Sequence, residues 1–316
     1  MLKYILKRIG YMVLTLWIIA TLTFALVNAV PGDPINNQAK QLPESTYKAI
    51  RAKYHLDDPI TTRYFDYLKD LLHGNMGESI KYPGKTVNEM IAQELPVSAK
   101  LGIQVVIVGL VIGITMGVIA AFYRNRWPDY LVIFIALIGS AIPGFVLALL
   151  LQFFLGGKMG LPTAGWYSTG GWFSNLKYTI LPTIALAVAQ IASNARFMRS
   201  SVLDVINQDY ILTAKSKGVK KVSVIMKHIL RNASIPVVTI LGPRIASIIT
   251  GTLIVEQMYA IPGLGRELFN AINNRDYTVI MSLTVFFAFL YIVSLLVVDI
   301  AYVLIDPKIK LASAKK

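Results

Sequence analysis

Cysteine is absent from the 316 residues, so no thiol nucleophile is available. Only three histidines occur, His55, His73 and His228, dispersed along the chain, and no HExxH or comparable metal-ligand spacing is present. There is no GxSxG nucleophile elbow. The string SIKYPGKT ends in Gly84-Lys85-Thr86, but Ser79 stands where a phosphate loop needs its first glycine, so nucleotide hydrolysis is not expected from this chain. Charge is scarce: 15% of residues are Asp, Glu, Lys or Arg. What fills the chain instead is apolar, with 55% hydrophobic residues and a mean hydropathy of +0.58, more than a soluble core requires.

A helix needs about 20 mostly apolar residues to cross a bilayer. Six windows meet or approach that length: Ile9 to Val30, Val97 to Tyr123, Tyr130 to Leu155, Tyr178 to Met198, Ile235 to Met258 and Val279 to Ile305. The first follows Lys3, Lys7 and Arg8 as a signal peptide would, but its apolar core is too long for one and reads as a retained anchor. The expected fold is therefore an all-α membrane protein of six transmembrane helices.

The basic residues set its orientation. Arg196 to Asn232 holds eight Lys or Arg against Asp204 and Asp209, and the N-terminus, the Arg124/Arg126 turn and the Lys308 to Lys316 tail are basic too, which places all four in the cytoplasm. Pro31 to Pro96 balances eight basic with nine acidic residues and is expected outside. The net charge of +14 is thus a topology signal, and no nucleic-acid partner is expected. The organisation follows: an anchor helix over 1–30, an extracytoplasmic insert over 31–96, a five-helix core over 97–308 with a cytoplasmic loop at 199–234, and a tail over 309–316.

More than sixty residues without an apolar run should fold as a small external subdomain. Pro43 to Tyr54 and Tyr64 to Leu72 have helical spacing, with Ser45 or Thr46 as N-cap and Gly74 and Gly77 as terminators. This insert is either a cap on the helix ends or a docking surface. In Gly156 to Lys177, Trp166, Tyr167, Trp172 and Phe173 suit a bilayer interface.

The segment Asp209 to Pro236, DYILTAKSKGVKKVSVIMKHILRNASIP, is polar and basic between apolar runs. Asp209 is a plausible N-cap, Lys215 and Lys217 lie in the last turn, and Gly218 stands where a left-handed cap belongs. A second helix follows, with Val219, Val222, Met226 and Ile229 as its expected apolar stripe. Such a pair can lie on anionic headgroups, can merely fix topology, or can carry a push from a cytoplasmic partner into the spans.

This segment resembles the cytoplasmic EAA loop of ABC-importer permeases, in the oligopeptide and dipeptide branch, where it tends to read DYxxTAxxKG and then KHxLRNAxIP. FALVNAVPGDP, HGNMGESI, LPVSAKLG and VEQMYAIPGLGRELFNAINNRDYTVI extend the likeness over nearly the whole chain, and the external insert looks like that of the B-type subunit. Leu212 replaces the namesake glutamate and Arg231 a general proline, as branch members do.

The resemblance implies a type I ABC-importer permease in the cell membrane, multi-pass with both termini cytoplasmic. Its partners would be a paralogous C-type permease, two ATPases that bind ATP and Mg, and an external peptide-binding protein, around a peptide substrate and membrane lipid. The chain itself would hold no cofactor. By resemblance Asp209, Tyr210, Thr213, Ala214, Lys215, Lys217 and Gly218 form the coupling helix that docks in an ATPase. Nickel, glutathione or another small solute is an alternative cargo, and an ion-coupled transporter or a scaffold would be other classes. No inverted repeat favours the former, and a scaffold has no use for a capped cytoplasmic helix.

Polar groups inside spans need a partner or a wet path. Arg244, with Ser247 and Gly251 on its helical face, is a candidate for the translocation path. Gln190, Ser193 and Asn194 suit either a hydrated cavity or interhelical hydrogen bonds. Glu256 and Asp299 are expected to snorkel or bind helix ends, and Pro262, Gly263 and Gly265 to shape a non-helical external mouth.

Overall fold

The structure, a computed structural model, describes residues 2–31, 35, 43–167, 174–234 and 252–305. Among them the chain is all helical apart from one isolated bridge between Glu78 and Thr86. The expected path residues Arg244, Ser247 and Gly251, most of the expected fifth span, Trp172, Phe173 and the tail lie outside the described residues.

Among the described residues, four helices are long and apolar enough to cross a membrane: α1 (Leu2–Ala29), α4 (Val87–Phe122), α7 (Leu176–Ile206) and α12 (Tyr277–Ile305). A fifth crossing is available if α5 (Trp127–Ala141) and α6 (Gly144–Leu155), bent by 99° at their junction, form one span. The window Tyr130 to Leu155 is thus two helices instead of the continuous one expected. Its break has a local cause: the ring of Pro143 disfavours helical backbone at Ile142, which is extended at φ −86° and ψ 121°.

The chain divides into two compact units. The first comprises residues 1–98 and 262–293. Here α2 (Glu44–Lys53) and α3 (Ile60–Leu72) form the insert. Pro43, not Ser45 or Thr46, precedes the first helical residue, and no side chain caps it. Gly74 follows α3 at φ +73°, as a terminator should. Helix α3 leans on α1 through Phe24, whose ring lies 5.3 Å from Tyr64 and 5.7 Å from Tyr67, and through a 2.7 Å hydrogen bond between Thr21 and Tyr64. Asp276 gathers the next turn, accepting from Ser79 Oγ at 2.5 Å and from the amides of Ile80 and Lys81.

The string that mimics a phosphate loop is a closed hairpin. The Gly84 amide donates to Glu78, Lys85 to the Tyr82 carbonyl and Ser79 to the Lys85 carbonyl, so the donors a phosphate would need are already used. Within the insert's last stretch α4 already begins at Val87, ten residues before the apolar window. The mouth sequence is also more regular than expected. Gly263 caps α11 (Leu264–Asn274), which takes in Gly265 and Arg266, and the Leu264 amide donates to Ser98 Oγ at 2.9 Å.

The second unit comprises residues 99–261 and 294–316. Its centre is the contact of α7 with α4, α5 and α6. A GxxxGxxxG run, Gly109, Gly113 and Gly117, lets α4 approach closely: a Cβ on Gly113 would come within 2.6 Å of the Asn194 Cβ, and one on Gly117 within 2.5 Å of the Ala195 carbonyl oxygen. Arg199 of α7 makes a two-pronged pair with buried Asp129 of α5, at 2.5 and 2.7 Å. The short helix α10 (Leu253–Met258) carries Glu256, which is fully buried rather than reaching for an interface. Beside it Tyr259 donates its hydroxyl to the Ala148 carbonyl of α6 at 2.9 Å.

Candidate functional site

Helix α8 (Asp209–Ser216) is eight residues long, too short to hold itself together in water, so its ends and its seat must stabilise it. Extended Gln208 precedes it and supplies the carbonyl for the Ile211 amide at 3.0 Å. Asp209 is therefore the first helical residue instead of the cap. Its carboxylate still lies in the first turn, where the helix dipole favours it.

The C-terminus is closed by a Schellman motif. Gly218 adopts φ +71°, its amide donates to the Lys215 carbonyl at 3.0 Å, and the Val219 amide donates to Ala214 at 3.2 Å. Thr213 turns its hydroxyl back to the Asp209 carbonyl at 3.0 Å.

Ile211 and Ala214, three apart, face inward onto Met198 and Val202 of α7 and onto Val224, Ile229 and Ala233. Those last three belong to α9, in which Lys221–Ser223, Val224–Leu230 and Arg231–Ala233 run on as one rod. Its middle stretch is π-helical, with i→i+5 spacing. Asn232 ties the rod back to α8, donating to Tyr210 Oη at 3.1 Å. The expected stripe of Val219, Val222, Met226 and Ile229 does not form: Val222 and Met226 are 72% and 58% exposed. The π spacing sets Val224 and Ile229, five apart, on the buried face in their place.

Of the seven residues expected in the coupling helix, Asp209, Tyr210, Thr213, Lys215, Lys217 and Gly218 face outward, and Ala214 faces the seat. Sequence reasoning did not read Leu212, 66% exposed in the middle of α8, as an outward-facing residue, and it put Val222 and Met226 on a buried stripe although both are exposed. Leucine at a position set against a polar face was the available clue.

Among the expected path residues, Asn194 is buried and donates to the Gly109 carbonyl at 2.9 Å, and Gln190 packs against Gly109 as well. Both lie in the α4–α7 contact. The glycine run that makes this contact possible was visible in the sequence and was not read.

The family model for the binding-protein-dependent transport system inner membrane component matches residues 113–311, and the model for the N-terminal part of such membrane components matches residues 1–101. The chain belongs to this family. It is 44% identical over 313 residues, 98% of this chain and 99% of the relative, to the dipeptide transport system permease protein DppB of Bacillus subtilis. It is 42% identical over 312 residues, 98% and 100% of the two chains, to the oligopeptide transport system permease protein OppB of Salmonella typhimurium. DppB of Lactococcus lactis matches at 39% over 312 residues, with the same coverage. In this permease family, then, the chain is an integral membrane protein, similar over its full length to these transport-system permeases.

Proposed function

We propose that the chain is the B-type permease of an ATP-driven peptide importer. Full-length similarity to dipeptide and oligopeptide permeases supports the substrate class. The observation that carries the mechanism is the seat of α8. A helix capped at its C-terminus, pinned by Ile211 and Ala214 to the end of a long helix, moves as part of that helix when pushed. Its outward face, Tyr210, Leu212, Thr213 and Lys215, is the plug for one ATPase, and a second ATPase serves the paralogous permease. ATP-driven closure would bias the spans between inward-open and outward-open states, provided the ATPases bind the two with different affinity.

In this reading the chain crosses six times. The α5–α6 pair counts as one span and residues 235–258 supply the fifth. Both termini and α8 are cytoplasmic, and residues 31–96 face the peptide-binding protein outside. Arg244, Ser247 and Gly251 border the path in this reading, and Gln190 and Asn194 serve the contact of α7 with α4. ATP and Mg belong to the partner subunits.

Gentle purification from native membranes tests the reading. Two ATPases, a second permease and a peptide-loaded binding protein are expected to copurify, and Leu212→Asp is expected to release the one ATPase that this chain holds while leaving the permease pair together. A lone chain whose deletion leaves peptide uptake intact would overturn it. Nickel or glutathione uptake lost in place of peptide uptake would change the cargo and keep the class.

A further inference from the structure

A cavity of about 570 Å³ opens beside α8, at the ends of α4 and α7. Leu203, Ile206 and Val219 contribute apolar wall, and Arg124, Lys215 and Lys221 bring three cations from three separate parts of the chain. Among the described residues no carboxylate lines it. Tyr123, Trp127 and Tyr130 stand exposed next to Arg124, as aromatics do at the headgroup level. An apolar floor with a cationic rim at that depth is complementary to one kind of molecule, with a phosphate at one end and acyl methylenes at the other.

From this geometry we infer that the cavity binds an anionic phospholipid of the cytoplasmic leaflet. Its phosphate lies between Arg124 and Lys221, and its first methylenes lie on Leu203, Ile206 and Val219. A lipid held there spans the end of α4, the coupling helix and α9, and so stiffens the seat through which a push on α8 passes. The cytoplasmic leaflet is the anionic one, and basic pockets between helices on that side are suited to such headgroups. The inference rests on the cytoplasmic placement of α8 proposed above.

The test uses the assembled transporter in phosphatidylcholine vesicles doped with phosphatidylglycerol that carries a photoactivatable group on its acyl chain. Illumination should label peptides containing residues 203–207 and 219–225. In the Arg124→Gln, Lys221→Gln double variant that labelling should fall by roughly fivefold for each charge removed. Labelling of the lipid-exposed face of α1 should stay constant, which shows that the variant is folded and inserted. Photoactivatable phosphatidylcholine should label α1 and leave the cavity segments unlabelled.

Equal labelling of the double variant, or equal labelling by phosphatidylcholine, overturns the inference. So does crosslinking of Lys221 to an ATPase subunit with no lipid label, which would make the cavity a protein-docking groove. Peptide uptake by the wild type is read separately, so loss of the lipid site leaves the transport assignment standing.

Discussion

Two glycines illustrate different physical demands at single positions. Gly218 needs its left-handed φ of +71°, yet a Cβ there meets nothing within 4 Å. Gly218→Ala should therefore cost only the backbone term, roughly 1–2 kcal/mol. The expected result is a frayed α8 and weakened peptide-stimulated ATP hydrolysis, with insertion unchanged, and Gly218→Asn should be milder because asparagine tolerates that region. Gly117 has no such φ but no room either, because a Cβ would press on the Ala195 carbonyl oxygen and the Met198 Cβ. Gly117→Val should lower the melting temperature of the purified permease through overpacking of about 1–3 kcal/mol. Gly10→Ala in α1, with nothing within 4 Å, should not lower it. Equal melting of Gly117→Val and wild type would refute the close approach of α4 and α7.

At the scale of elements, the insert hairpin should respond to acid. Glu78 accepts from Lys53 Nζ at 2.6 Å and from the Gly84 amide, and these bonds hold its carboxyl below the ordinary carboxylate value of 4.5. A depressed folded value means that the stabilisation is present above about 4.5 and is lost as pH falls through the folded value. Glu267 in α11 runs the other way. Burial is the main cause that raises its carboxyl, so its contribution is full below 4.5 and fades as pH rises through the folded value. Protease cleavage within residues 54–86 should thus accelerate on acidification, and Glu78→Gln should flatten that response by weakening the hairpin at neutral pH. The elements themselves were legible to different degrees. α1, α4 and α12 declare themselves by apolar length, and α8 by Gly218 and its basic last turn. The α5–α6 bend was hidden because apolar composition is the same on both sides of it, although Pro143 marked the place. The buried face of α9 could not be read at a helical period of 3.6, because a π stretch brings residues five apart into line. Leu212 was read only as the loss of a glutamate, whereas it is an exposed apolar side chain on the outward face of α8.

For the whole molecule the question is how many times the chain crosses, and among the described residues the α5–α6 pair bears on it. If the pair spans, the Arg124 turn and α8 lie on the same side of the membrane, since α7 adds the second crossing. If it dips and returns, they lie on opposite sides. Arg124 and Lys215 line one cavity, which the second alternative forbids. The absence of cysteine makes the test direct, because any single cysteine introduced is the only thiol in the chain. Phe65, Trp127 and Leu212 are all exposed, at 67%, 75% and 66%. In intact spheroplasts a membrane-impermeant maleimide should label Phe65→Cys and spare Trp127→Cys and Leu212→Cys. In inverted vesicles the pattern should reverse. Trp127→Cys and Leu212→Cys reacting from opposite faces would make the bent pair re-entrant and remove both the six-span topology and the shared cavity. All three reacting only in inverted vesicles would place the insert in the cytoplasm, where no external binding protein can reach it.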